Sequence, residues 1–250
     1  MTVIIVIHDI PTPTGEDGAY ADVERRYLQH CLDNNIPVLV LVVGGQIGGR
    51  SDLISLLKEG VNRGLFTIGN HGDEHSSTAW NPSGMTLDEQ KTYIQNGESK
   101  IESALNVSPK IFIPPYYTCN EDTFHACRDL GIKLHTAAVG GYWSAEPIED
   151  AMSMTGPNQF TSDYASADEL RAALSQKEKD YGYVFWDIHP HHSAKAGEDA
   201  ISMELEVMKD YAITVTPTLA ETVSSMVSPL VSIMMVMMVV SIIKSIVKKE

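Results

Sequence analysis

The chain predicts an α/β fold, a parallel (β/α) barrel of about seven units. Three observations carry that expectation. Apolar runs of strand length alternate with segments of helical period along most of the chain. No Gly-x-Gly-x-x-Gly turn interrupts the alternation, as an open dinucleotide-binding sheet requires. Ionisable residues also gather just after the apolar runs, on the rim where a parallel barrel collects its active groups.

Taken in order, the strand candidates are Val3–Ile7, Val38–Val43, Leu65–Ile68, Lys110–Ile113, Lys133–Thr136, Tyr183–Ile188 and Ala212–Val215. The helices between them carry start signals. Thr86-Leu87-Asp88-Glu89, Ser166-Ala167-Asp168-Glu169 and Thr218-Leu219-Ala220-Glu221 each place a carboxylate three residues after a hydroxyl, the pattern of a capping box. Ala19–Asn34, Ser51–Asn62, Asn120–Leu130 and Gly197–Tyr211 complete the helical set. Gly44-Gly45-Gln46-Ile47-Gly48-Gly49 lacks a phosphate-cradling lysine and reads as a flexible rim loop. The irregular stretch 137–160 reads as a wall or lid of the cleft.

At 250 residues, one domain is expected, a barrel body over 1–225 followed by a hydrophobic tail over 226–250. From Thr222 to Ile243 no residue is charged, and Leu230–Ile243 is apolar on every helical face. That tail reads either as a membrane attachment or span, or as a surface that packs on another subunit. Thr2 leads into the first strand without a basic segment or cleavage site, so no signal peptide is expected. The body is then expected to be cytoplasmic, or membrane-associated through residues 222–243. A net charge of −15 and the lack of a basic stripe argue against a nucleic-acid partner. Cys31, Cys119 and Cys127 form no pair with zinc-ribbon spacing and no disulfide framework.

Three phrases carry the chemistry. Gly69-Asn70-His71-Gly72-Asp73-Glu74-His75 sets two imidazoles four residues apart after a strand. Val3-Ile4-Ile5-Val6-Ile7-His8-Asp9 and Val184-Phe185-Trp186-Asp187-Ile188-His189-Pro190 end two further strands in ionisable pairs. Two histidines and one carboxylate make an open ligand set for a catalytic divalent metal. His8, Asp9, His71, His75, Tyr116 and His189 all fall on one predicted rim, whereas random polar residues scatter over both.

These residues resemble the polysaccharide deacetylase (NodB-homology) superfamily, carbohydrate esterase family 4 and its relatives. The resemblance runs from about Val3 to Glu221. His8-Asp9 matches the family's first motif, His71 and His75 its His-x3-His motif, Ile113-Pro114-Pro115-Tyr116 its third, and Ile188-His189-Pro190 its last. The resemblance implies the family's (β/α) barrel and removal of acetyl groups from N- or O-acetylated carbohydrate. It implies a divalent metal, zinc by preference or else Co2+, Ni2+ or Mn2+, on Asp9, His71 and His75. The backbone N–H of Tyr116 then stabilises the oxyanion, and His189 protonates the leaving amine.

Two departures stand out. His8 replaces the usual aspartate base, and Ile113 replaces the usual arginine. A cation beside an imidazole lowers its basicity, so the two changes are coherent together. His8 is expected to be the base, or alternatively a fourth ligand. Asp187 is a candidate to orient His189, and Asp73 to reach a ligand-ring N–H. Tyr117, Trp143 and Trp80 are candidates to line a sugar subsite, or equally to pack. His30, His125 and His135 read as structural, and His191 and His192 as incidental. Other readings are hydrolysis of a non-sugar amide, or a catalytically inactive carbohydrate-binding module.

Overall fold

A computed structural model describes residues 3–12, 20–137, 153–154, 164–181 and 184–213. Its strands are β1 (Val3–Ile10), β2 (Val38–Val42), β3 (Phe66–Asn70), β4 (Ile111–Phe112), β5 (Lys133–Leu134), β6 (Thr136–Ala137), β7 (Ser153–Met154) and β8 (Val184–Ile188). Six of them form one parallel sheet in the order β5-β4-β3-β2-β1-β8, and β6 pairs with β7 in a separate small sheet. Successive strands are neighbours and the last lies beside the first. That is the order of a (β/α) barrel, here a sheet curled into a half-barrel.

The helices are α1 (Ala21–Asn34), α2 (Gly44–Ile47), α3 (Ser51–Asn62), α4 (Leu87–Leu105), α5 (Glu121–Leu130), α6 (Ala167–Tyr181), α7 (Pro190–Ala196) and α8 (Glu198–Met208). They run round the sheet as one outer layer, with α6 on α8, α8 on α1, α1 on α3, α3 on α4 and α4 on α5. A doubly wound sheet divides its helices between two faces, so this single layer is what separates the two folds. The predicted capping box at Thr86 and Glu89 is formed in both directions and starts α4.

Strand β2 is Val-Leu-Val-Leu-Val, buried at all five positions, as a strand covered on both faces must be. Register sorts the faces. Val6 lies opposite Leu39 on one side and Asp187 on the other. Val6, Leu39, Leu41 and Ile113 pack together with Ile4, Ile111, Tyr117 and Phe185 inside the curl.

The structure departs from the sequence reading in three places. Strand β1 continues to Ile10, so His8 and Asp9 lie within it and not beyond it. The glycine-rich run expected as a flexible loop begins with the helical turn α2, because Gly44 N–H donates to Gly72 O and Gly45 N–H to Asp73 O, at 2.9 and 2.8 Å. Helix α7, directly after His189, has no counterpart in the prediction. The tail 226–250, most of the 137–160 stretch and the third capping box lie outside the described residues. Among the described residues no helix is long and apolar enough to cross a membrane.

Candidate metal centre and active site

His8 and Asp9 are consecutive, and on a flat strand they would point to opposite faces. The β1–β2 register slips between Ile7 and Ile10, so one extra β1 residue faces β2 there. Asp9 sits in this bulge with φ 57°, a left-handed backbone. Such a bulge re-aims a side chain, and here it lets both neighbours serve one site. His8 and Asp9 are almost completely buried, 0% and 2% exposed.

His71 and His75 lie beyond β3 on a tightly braced loop. His71 N–H donates to Val42 O at 2.9 Å. Buried Asn70 accepts from Gly72 N–H at 2.8 Å and donates to Ile94 O at 2.9 Å, tying the loop to α4. Gly72 has φ +89°, and a Cβ there would lie 2.3 Å from the Tyr93 hydroxyl. Glycine is therefore the residue this turn requires.

The three expected ligands converge. Asp9 Oδ1 lies 3.0 Å from His71 Nε2 and 3.1 Å from His75 Nε2, and one ligand atom from each residue falls within 4.8 Å of the others. The other nitrogen of His71, Nδ1, is 2.6 Å from Ile113 O. A carbonyl only accepts, so Nδ1 carries a proton and Nε2 is the nitrogen turned toward Asp9. Burial, only partly offset by Asp9, lowers the His75 pKa, which favours the neutral form of that ring. Asp9 Oδ1 is buried without a hydrogen-bond partner among the described residues. Two ring nitrogens and a buried carboxylate oxygen this close together form a donor set that fits a divalent metal.

A second group of side chains faces this one. His8 and His189 stack, with ring centroids 4.4 Å apart and planes 17° from parallel. His8 Nε2 lies 2.9 Å from Asp187 Oδ1 and 2.9 Å from the Tyr117 hydroxyl. Burial, then His71, holds the His8 imidazole well below its usual pKa. Burial, then His8, takes His189 down to about 3. Burial pushes Asp187 up to about 7. Tyr116 opens toward solvent at 52% exposure, with φ 57°, and its ring leans on His75 at 4.7 Å. In its turn, Tyr117 N–H and Thr118 N–H are spent on Pro114 O and Pro115 O. The Tyr116 N–H precedes both, in the position a short helix leaves for an external acceptor.

Other predicted residues fall elsewhere. Trp80 is 1% exposed, packed with Tyr93 and Phe112, and its indole N–H donates to Thr118 O at 2.9 Å; it is core and not a sugar platform. Tyr117 turns its hydroxyl inward to His8 and is only partly exposed. Asp73 pairs with Lys100 and not with a ligand ring, because its loop carries it toward α4. Trp143 lies outside the described residues. Sequence reasoning passed over Asn70, whose only signal was its place before His71, and His191, whose Nδ1 comes within 3.7 Å of Asp9 Oδ2.

Comparison with known proteins agrees with this fold. The sequence model of the family described as polysaccharide deacetylase matches residues 13–135, which include His71, His75 and Tyr116 but not His8, Asp9 or His189. No curated protein matches the chain. Among solved structures, a candidate polysaccharide deacetylase from Mycobacterium smegmatis is similar at 19% identity and TM-score 0.55, over 86% of each chain. A peptidoglycan N-acetylglucosamine deacetylase is similar at 13% identity and TM-score 0.53, over 84% of this chain and 79% of that one. A CE4 family pseudoenzyme from Bacillus anthracis is similar at 16% identity and TM-score 0.51, over 82% of this chain. The chain spans 60% of that pseudoenzyme's length. At such identities the likeness is one of fold.

Proposed function

Since the chain belongs to the polysaccharide deacetylase (NodB-homology) superfamily, we propose that it is a metal-dependent hydrolase that removes acetyl groups from N- or O-acetylated carbohydrate. The observation that carries this reading is the convergence of Asp9, His71 and His75, with Nε2 of His71 turned to a buried carboxylate oxygen. When bound there, a divalent cation, zinc by preference, supplies Lewis acidity toward the acyl oxygen and toward water.

The chain's own residues do the rest. His8 takes a proton from the attacking water. The Tyr116 N–H donates to the oxygen that gains charge as the acyl carbon becomes tetrahedral. His189 protonates the leaving nitrogen. Its ring is neutral at rest, with a pKa near 3, so it must first receive the proton that His8 has taken from the water, across the stacked pair, before giving it to the leaving nitrogen.

The experiment is metal content per chain by mass spectrometry, for the wild type and His75→Ala, followed by acetate release from N-acetylglucosamine oligomers. About one divalent ion per chain, absent from the variant, together with metal-dependent acetate release, supports the reading. No ion in either protein after reconstitution overturns it.

One observation favours a second reading. His8 and Ile113 stand where active relatives carry Asp and Arg, and Ile113 is buried. The body could then bind carbohydrate without turning it over, or hydrolyse a smaller, non-sugar amide. Metal uptake without acetate release separates these from the first reading.

A further inference from the structure

Asp187 precedes His189 by two residues on β8, yet its carboxylate meets a different ring. Its Oδ1 lies 2.9 Å from Nε2 of His8. Strand register accounts for this choice. Val6 pairs with Asp187 and Ile7 with Ile188. One step further, His8 comes level with His189, and the two rings stack face to face. Stacked rings expose their edges to other neighbours, and the edge of His8 meets Asp187.

A buried carboxylate is costly unless it accepts hydrogen bonds. The Asp187 side chain is 9% exposed. Its available donors are the His8 ring and the Tyr117 hydroxyl, which is bonded to the carboxylate and lies 2.9 Å from the same His8 nitrogen. On the far edge of the ring, Nδ1 of His8 is buried with no hydrogen-bond partner among the described residues. A neutral imidazole carries one N–H and one lone pair. A carboxylate flanking Nε2 fixes the N–H there and leaves the lone pair on Nδ1.

We infer that Asp187 is a positioning residue for His8, accepting its Nε2–H while Tyr117 braces the carboxylate, so that Nδ1 of His8 is the atom that takes the proton. The inference rests on the proposed reaction, in which His8 is the base. The step balances. A water O–H bond breaks, an Nδ1–H bond forms, and the electron pair stays on the oxygen that attacks the acyl carbon. The imidazolium that results is stabilised by the Asp187 carboxylate. A carboxylate base is served by a cation behind it, whereas an imidazole base is served by an anion. The site accordingly has Asp187 behind His8, and a buried isoleucine where the family's arginine stands.

The test is imidazole-nitrogen NMR on the full chain carrying isotope-labelled histidine, before and after one equivalent of zinc chloride. The His8 signal is identified by its loss in His8→Gln. The expected result is a His8 ring protonated at Nε2 and bare at Nδ1. Asp187→Asn loses that form and Tyr117→Phe keeps it. A wild-type ring protonated at Nδ1, an Nδ1 that responds to zinc as a ligand, or a folded Asp187→Asn with the tautomer unchanged overturns the inference. If Asp187→Asn does not fold, the wild type and Tyr117→Phe still decide. Zinc-induced shifts of His71 and His75 report on the metal reading separately. Their absence beside an intact His8 Nε2–H sinks that reading and leaves the His8–Asp187 pairing standing.

Discussion

The two halves of the site are built by different means. On the side proposed to hold the metal, backbone and core fix the candidate ligands: a bulge turns Asp9, a carbonyl fixes His71, and Asn70, Gly72 and helix α2 clamp the loop between them. On the side proposed to move protons, His8, Asp187, Tyr117 and His189 hold one another, side chain against side chain. A backbone-built half is costly to alter, because any change disturbs the packing beneath it. A half built from side chains can exchange partners at little cost to the fold. The departures at His8 and Ile113 belong to that second half, and the expected ligands Asp9, His71 and His75 all stand in the first.

Trp80→Ala gives the largest effect on the contrast. Trp80 lies under the metal loop, in contact with Tyr93, and its indole N–H reaches Thr118 O just after the Tyr116 turn. Its removal should cost about 3–5 kcal/mol of stability and weaken zinc binding, as loss of a buried aromatic residue does. Denaturant melts and zinc titration measure both. A variant as stable as the wild type, with only KM for an acetylated oligosaccharide raised, would return Trp80 to the sugar subsite and break the comparison.

Gly97→Ala is the next largest. In an exposed helix interior this change is favourable by about 1 kcal/mol. At Gly97, however, a Cβ would lie 2.7 Å from Asn70 Oδ1 and 2.8 Å from the Gly72 carbonyl carbon. We expect a net loss of about 1–3 kcal/mol from overpacking. Metal affinity should also fall about 10–100-fold, the range for a disturbed supporting residue. Asp187→Asn, on the other half, should leave zinc affinity within about threefold of wild type, well short of that range. Equal losses of zinc affinity in the two variants would erase the distinction.

How much of this was legible in the sequence follows the same divide. Strands β1, β2 and β3 announced themselves because their apolar runs must be buried whatever surrounds them. The convergence of Asp9, His71 and His75 was legible because all three follow apolar runs that end on one rim. The bulge at Asp9 was not, since it arises from the register of β1 against β2, and no residue type in Ile7–Ile10 encodes it. Helix α2 was missed because glycines read as a loop until Gly72 O and Asp73 O are there to receive their N–H groups. Asp187 was assigned to His189 by sequence proximity, whereas the β1–β8 register brings its carboxylate to His8. Trp80 could not be placed, because an indole suits a sugar face and a core equally well.

Tyr116 sharpens the comparison with the smallest effect, because it belongs to both halves. Its N–H is a backbone group, while its ring is exposed and leans on His75. Tyr116→Gly keeps the N–H and relieves a left-handed φ of 57°, worth roughly 1 kcal/mol in stability. If the N–H is the catalytic contribution, kcat should stay within about threefold of wild type, far from the 10²–10³-fold loss that removing an oxyanion donor brings. Any change should then fall on KM, through the lost ring. Steady-state kinetics on an N-acetylglucosamine oligomer reads the two parameters separately. A kcat loss of 10²-fold or more at unchanged stability would move the contribution from backbone to phenol and make this turn a side-chain device like the His8 half.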